Sequence, residues 1–239
     1  MQHGTWPRYD ARMSFVVIIL LVLALVFGPG LWVRRVLARY SQPEDRYPGT
    51  GAQLARQLLD LNGLGQVAVE TTTDGDHYDP ESKAVRLMAD KFDGRSLTAI
   101  TVAAHEVGHA LQDQQNYAPL LWRGRLIKTS RKLERLGAGV LIVSPFIGAL
   151  TRAPGLGILM FGAGFVTLGI TTLVHLATLP TEFDASFGRA LPMLDTHDIL
   201  KSVDRPHARR LLLAAALTYV AASLMSLLNI ARWWAILRR

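Results

Sequence analysis

Two histidines and a glutamate in the stretch Thr98 to Gln112 have the types and spacing for metal-dependent hydrolysis. The stretch reads TAITVAAHEVGHALQ, with His105 and His109 four residues apart. Residues four apart lie on one face of a helix, so both imidazoles can reach one zinc ion. Glu106 would lie where it can take a proton from a zinc-activated water that attacks a carbonyl. The pattern therefore indicates a zinc hydrolase with Glu106 as the catalytic base.

The residues around this motif favour the helix that it needs. Ser96 is a suitable N-cap, and the run from Leu97 to the motif holds neither proline nor charge. Gly108 costs a helix interior about 1 kcal/mol relative to alanine, so we expect another segment to pack closely against that face. The alternative interpretation is an amphipathic helix that carries two incidental histidines.

A third zinc ligand is expected, because catalytic zinc usually has three protein ligands and one open position. Glu182 is the best candidate, in the sequence LPTEFDAS, where Pro180 can begin a helix as an apolar block ends. Two predicted membrane spans separate it from His109, and an even number returns the chain to the same side. The alternative is that Glu182 only caps its helix, since acidic residues are favoured in a first turn.

Composition predicts an integral membrane protein. Half of the residues are hydrophobic, and residues 14–33 form an uncharged run long enough to cross a bilayer. Alternatives are a cleaved signal peptide for this run and a buried soluble helix for the short second block, which Pro145 interrupts. Further apolar blocks cover residues 136–150, 156–179 and 211–228, and the first two of these should pair through Gly137, Gly139, Gly162 and Gly164.

The basic residues predict the orientation of the first span. Arginines at 34, 35, 39 and 46 follow the span, against Arg8 and Arg12 before it, which places the motif on the cytosolic side. A further basic run before the second span would lie against lipid phosphates, and no nucleic-acid-binding motif accompanies the net charge of +7. We therefore expect a lipid bilayer, and not nucleic acid, as a partner. With no cysteine, disulfides and thiolate metal ligands are excluded.

Residues 40–135 form the predicted catalytic segment. Residues 50–62 have helical periodicity and end at Gly63. Residues 66–71 and 84–87 alternate like strands around a turn-rich stretch, which predicts a β-hairpin whose free edge could hold an extended peptide. Turn chemistry explains Asp79 before Pro80, although His77, Tyr78 and Asp79 could also have a functional role.

Three blocks in order resemble the YugP-like family of bacterial neutral zinc metallopeptidases. They are DHYDPESKAVRL, HEVGHALQ and LPTEFDAS, and the likeness covers about residues 47–194. It implies His105, His109 and Glu182 as zinc ligands and Glu106 as the base. The layout is similar to HtpX and CAAX-prenyl-protease type peptidases, which have an aspartate four residues after the glutamate ligand. This chain has Ser186 there, so Asp184 or Asp198 is a candidate for orienting a ligand histidine.

Transition-state stabilisation needs a further donor aimed at the developing oxyanion. Several side chains in the sequence are chemically suitable, and the sequence does not distinguish between them. They are Tyr78, Tyr117, His175, His197 and His207. His175 lies near the end of a predicted span, where it could act in the site or reach lipid headgroups.

Together these patterns predict a mainly α-helical, multi-span membrane protein with a small α+β zincin-like catalytic segment. The expected activity is zinc-dependent endopeptidase action on peptides or on membrane-associated or misfolded proteins, at the cytosolic face of a bacterial inner membrane. The alternatives are a catalytically inactive membrane scaffold or chaperone and an intramembrane zinc protease. The predicted segments are 1–39 (tail and first anchor), 40–135 (catalytic segment), 136–179 (transmembrane hairpin), 180–210 (third-ligand helix and loop) and 211–239 (last transmembrane helix and basic tail).

Overall fold

The computed structural model describes residues 11–237, with side chains described for 15–126, 129, 132–133, 136–137, 139–164, 166–167, 173–174, 176–221 and 224. The chain is mostly helical, as the sequence predicts, and it has a small three-stranded sheet. The first half comprises α1 (Ala11–Tyr40), α2 (Gly51–Leu61), β1 (Ala68–Thr72), β2 (His77–Asp79), β3 (Ala84–Met88), α3 (Ala89–Phe92) and α4 (Leu97–Gln114). The second comprises α5 (Ala118–Leu150), α6 (Pro154–Ala177), α7 (Leu179–Phe183), a π-helical segment (Asp184–Ala190), α8 (Leu191–Thr196), a 3₁₀ turn (Ser202–Asp204) and α9 (Arg205–Leu237).

The predicted starts of two helices in the catalytic segment are confirmed. The Ser96 hydroxyl accepts a hydrogen bond from the Ala99 N–H at the start of α4. Thr50 and Gln53 form a reciprocal capping box at the start of α2. After α2 the chain reverses at Gly63, whose φ of +70° suits glycine. Local sequence is sufficient for these features because each cap joins residues three apart.

The predicted hairpin between residues 66–71 and 84–87 is wrong. β1 and β3 pair in parallel, with Ala68 opposite Ala84, and the sheet order is β1-β3-β2. The intervening stretch holds a third strand, β2, which pairs antiparallel with β3 through Tyr78 opposite Val85. Because this short strand reverses the chain once more, β1 and β3 run in the same direction. The turn-rich composition of the stretch hid the strand.

One helix has the length and composition to cross a membrane, within the part of the chain whose side chains are described. It covers Phe15–Tyr40, with a mean hydropathy of 2.8 in its most apolar window. The apolar stretches Gly139–Leu150 and Pro154–Gly164 are shorter than a span. The structure therefore supports a single candidate span, and the multi-span layout stays a proposal.

The helices α5 and α6 pack against each other as an antiparallel pair. A Cβ atom on Gly164 would lie 2.6 Å from the Leu141 side chain, and one on Gly137 would lie 3.0 Å from Thr167. These two glycines lie in the interface as predicted, whereas Gly139 and Gly162 have no such neighbour among the side chains that the structure describes. Helix α5 runs continuously across the predicted boundary at residues 135 and 136.

Pro145 does not break α5. A proline at this position removes the N–H that would bind the carbonyl four residues earlier, that of Leu141. The Ser144 hydroxyl donates a 3.0 Å hydrogen bond to this carbonyl instead. The freed backbone acceptor is thereby satisfied, which is how proline is tolerated in long apolar helices.

Helix α4 is the centre of the predicted catalytic segment. Every residue from Leu97 to Gln112 is buried, beneath α2, the sheet, the π-helical segment and α9. A helix that is enclosed on all sides holds its side chains in fixed positions. It is therefore a suitable support for a metal site.

Candidate metal centre

The three predicted zinc ligands come together in the structure. His105 and His109 lie one turn apart on α4, and Glu182 enters from the first turn of α7. The Oε2 atom of Glu182 lies 3.4 Å from Nε2 of His105 and 3.2 Å from Nε2 of His109. All three side chains are buried, and one ligand atom from each lies within 4.8 Å of the others. The helix-capping alternative for Glu182 does not explain a buried carboxylate that faces two imidazoles.

Gly108 allows the two ligand-bearing elements to approach. A Cβ atom at this position would lie 2.6 Å from the carbonyl oxygen of Ala185 in the π-helical segment. Any side chain larger than hydrogen would therefore push this segment away from α4. The close packing predicted from a glycine inside the helix is confirmed, and it places Glu182 beside the histidines.

Ser186 fixes the tautomer of His105. Its hydroxyl donates to the Leu212 carbonyl of α9 at 3.0 Å and lies 2.9 Å from Nδ1 of His105. Because its one hydrogen is already donated, the hydroxyl oxygen must accept a hydrogen bond from Nδ1–H. The Nε2 lone pair of His105 then faces Glu182. Ser186, at the position where an aspartate was expected from the layout of HtpX-type peptidases, is thus itself the partner of the predicted ligand His105.

Gln112 has the same role for His109. Its amide nitrogen donates to the Thr181 carbonyl at 2.9 Å and to Asp184 Oδ2 at 2.7 Å, which leaves Oε1 to accept from His109 Nδ1–H at 2.9 Å. Asp184 therefore acts on the histidine only through Gln112. Sequence analysis missed Gln112, although its place one turn after His109 on α4 could have revealed it.

The centre has the donor arrangement of a cation site. Both Nε2 lone pairs and the Glu182 carboxylate point at the same small volume, and three acceptors at this separation repel one another unless a positive charge lies among them. Two imidazoles and one carboxylate are a ligand set that zinc prefers. The residues present therefore fit a zinc ion.

Glu106 lies next to the ligands and is also buried. Burial raises the pKa of its carboxyl group to about 7, against the opposing effect of His105, and the charges of Asp76 and Glu182 act in the same direction as burial. For Glu182, burial alone would raise the pKa, but His109 and Arg123 outweigh it and hold the pKa well below its usual value. The two glutamates are therefore held in different protonation ranges, one suited to proton transfer near neutral pH and one to ligation.

Arg123 on α5 lies beside the predicted ligands, a contact that sequence analysis missed. Its Nη2 atom lies 2.8 Å from Oε1 of Glu182, and its guanidinium lies over the Tyr219 ring, 4.7 Å from the centroid. In the sequence it is one cation in a basic run that was assigned to lipid phosphates.

Most predicted oxyanion donors have other contacts. The Tyr78 hydroxyl donates to Asp113 at 2.7 Å, Tyr117 lies under the Arg189 guanidinium, and His207 pairs with Tyr40. His197 is exposed, as is Asp198, the other proposed second partner of the ligands. The side chain of His175 lies outside the described residues.

The turn around Asp79 has structural contacts. The Asp79 carboxylate accepts hydrogen bonds from the Glu81 N–H, the Ser82 hydroxyl and Arg86. Burial alone would raise its pKa, but these hydrogen bonds outweigh it and lower the pKa to about 2. The turn interpretation of Asp79 is therefore confirmed by its contacts.

Comparison with known proteins agrees with this geometry. Residues 15–238 match the family described as "Putative neutral zinc metallopeptidase". The chain is 37% identical over 223 residues to the "Putative membrane protease YugP" of Bacillus subtilis (strain 168), covering 92% of this chain and 95% of that protein. No solved structure matches the chain. A buried His-His-Glu group and a family match over almost the whole length lead to one conclusion: the chain belongs to this family of neutral zinc metallopeptidases.

Proposed function

We propose that the protein is a membrane-anchored, zinc-dependent metalloendopeptidase. The observation that carries the proposal is the convergence of two histidine lone pairs and one carboxylate oxygen beside the buried Glu106. The fixed tautomers of His105 and His109 support it, because they present both Nε2 atoms before any ion binds.

In this proposal His105, His109 and Glu182 hold the ion and Glu106 is the general base. When bound, zinc supplies Lewis acidity to a water and to the scissile carbonyl. Glu106, in its ionised form, accepts the proton of the attacking water and passes it to the leaving amine. Burial raises the pKa of its carboxyl group, which makes the carboxylate a stronger base. Ser186 and Gln112 keep the two imidazoles in place during the reaction.

The substrate is a polypeptide in an extended conformation. Strand β2 is at the edge of the sheet and packs against α4, to which Tyr78 is joined by its hydrogen bond to Asp113. The free edge of β2 offers backbone groups that can pair with an extended peptide next to the zinc-binding helix. Peptides and membrane-associated or misfolded proteins fit this form of recognition.

We further propose four membrane spans, with the catalytic segment on the cytosolic face of a bacterial inner membrane. The candidate span Phe15–Tyr40 and the paired helices α5 and α6 support this layout. The absence of native cysteine allows a direct test with single cysteines and a membrane-impermeant maleimide. We expect Asp93→Cys to react in inverted vesicles and Thr151→Cys to react in intact cells. Reaction of both cysteines on one side would contradict the layout.

The test of catalysis is zinc content and casein hydrolysis in the wild type and in Glu106→Gln. We expect about one zinc ion per chain in both, since Glu106 is not a ligand, and cleavage only by the wild type. Glu44→Gln, an isosteric change at an exposed position, is the matched control and should cleave normally. Zinc without cleavage in the wild type would favour a binding scaffold, and no zinc would contradict the proposal.

A further inference from the structure

Arg123 is a largely buried cation that contacts a candidate metal ligand. It lies in the first turns of α5, and its side chain is 12% exposed. The two oxygens of Glu182 have different partners, with Oε1 2.8 Å from the Arg123 guanidinium and Oε2 facing both histidines. One oxygen of the carboxylate is therefore in an ion pair with Arg123, and the other is presented to the histidines.

The guanidinium is itself held in place. The ring of Tyr219 on α9 lies against its face at 4.7 Å, so the cation is fixed between α7 and α9. Its Nε atom is buried without a hydrogen-bond partner among the described residues. A buried arginine with an unused donor is costly to maintain unless its charge has a role.

Other nearby cations have different partners. Arg189 binds Asp184 and Gln115, and Arg125 lies over the exposed Trp122 ring. Among the described residues, Arg123 is the cation in contact with the His105, His109 and Glu182 group.

We propose that Arg123 is the positioning residue of the zinc centre: by binding Oε1 it restricts Glu182 to ligation through Oε2 alone. The inference rests on the proposed function. A carboxylate without this partner can rotate, so it must be ordered again when zinc binds, which lowers the affinity. It can also offer both oxygens, which would fill the open position that a hydrolytic zinc needs.

The experiment compares zinc affinity and cobalt absorption spectra of wild type, Arg123→Gln, Arg123→Lys and Arg125→Gln. Zinc affinity is measured by competition with a chromophoric chelator, and the spectrum of the cobalt-loaded protein reports the ligand number and geometry. We expect Arg123→Gln to bind zinc about 10- to 100-fold more weakly and to change the cobalt spectrum. Arg125→Gln, two residues along the same helix and exposed, should match the wild type in both measurements.

Arg123→Lys separates a local effect on zinc binding from a general loss of folding. Lysine keeps the charge but lacks the planar fork, so we expect an affinity between those of the wild type and Arg123→Gln, with an unchanged circular dichroism spectrum. Wild-type affinity and cobalt spectrum in either folded Arg123 variant would overturn the inference while leaving the proposed function intact. Failure of the wild type to bind zinc would instead overturn the proposed function.

Discussion

Among the described residues, two buried carboxylates, Asp204 and Glu182, are each paired with an arginine, and they differ in the partners of their oxygens. Asp204, just before α9, receives hydrogen bonds on both oxygens: from Arg46, including one of 2.7 Å, and from the Tyr47 hydroxyl at 2.8 Å. Glu182 receives Arg123 on one oxygen and has two histidine nitrogens at the other. Both side chains are 1% exposed, so burial does not distinguish them.

The difference separates a structural pair from a metal site. At Asp204 every acceptor is satisfied by a donor of the protein, and the pair ties the segment after α1 to the start of α9. At Glu182 acceptors face acceptors, and only a positive charge completes the group. The role of a buried arginine–carboxylate pair, structural or metal-binding, can therefore be assigned only when the partners of both carboxylate oxygens are known.

The largest change in zinc affinity is expected from Glu182→Gln. The loss of a ligand should weaken zinc binding more than about 100-fold and should abolish hydrolysis. This loss is larger than the one expected when a residue that only contacts a ligand, such as Ser186, is replaced. In the metal-free variant the new amide can donate to a histidine Nε2, which offsets part of the cost of leaving Arg123 without its charge partner, so the free energy of unfolding should fall by less than in Asp204→Asn. Zinc titration and urea unfolding in detergent measure both effects. Unchanged zinc affinity would remove Glu182 from the ligand set.

For Asp204→Asn we expect a loss of stability without a change in zinc affinity. The amide places a donor against Arg46 and Tyr47 and leaves a partly buried cation without its charge partner, which should cost about 3 kcal/mol of unfolding free energy. Zinc affinity of the folded variant should stay at the wild-type value, since Asp204 contacts none of the ligands. A loss of zinc with unchanged stability would contradict the structural assignment.

A smaller effect is expected from Ser186→Ala, which removes the hydrogen-bond acceptor of His105. We expect zinc affinity to fall about 10-fold, because the imidazole can then rotate or change tautomer. The free energy of unfolding should fall by about 1 kcal/mol, since the Leu212 carbonyl also loses its donor. Ser202→Ala, at an exposed position, is the control in the same measurements.

The smallest expected effect is on how the free energy of unfolding depends on pH. Burial alone would raise the pKa of Asp204, but its hydrogen bonds with Arg46 and Tyr47 outweigh it, and the folded pKa is below the ordinary 3.8. Its contribution to stability is therefore complete above about pH 4 and is lost as the pH falls through the lower folded pKa. Urea unfolding of wild type and Asp204→Asn should show a stability difference that narrows on acidification below pH 4. A constant difference would show that Asp204 has the same pKa in both states.

The sequence by itself determined the features that depend on local spacing. The four-residue separation placed His105 and His109 on one helix face because an α-helix has 3.6 residues per turn. The Ser96 cap is also local, because it joins residues three apart. Gly108 inside α4 predicted that another segment packs closely against the helix. Glu182 was found at long range from topology and from the resemblance, since the motif needs one more ligand.

Only the tertiary structure decided which residues hold those ligands in place. Ser186 reaches His105 across 81 positions of sequence, and Arg123 reaches Glu182 from a basic run that looked like a lipid contact. Neither contact leaves a periodic signal, because each depends on how α5, α7 and α9 pack around α4. The parallel pairing of β1 and β3 was hidden likewise, since strand direction depends on a three-residue strand within a turn-rich segment. The type of chemistry follows from spacing along the chain, whereas the hydrogen bonds that prepare it arise from packing between distant elements.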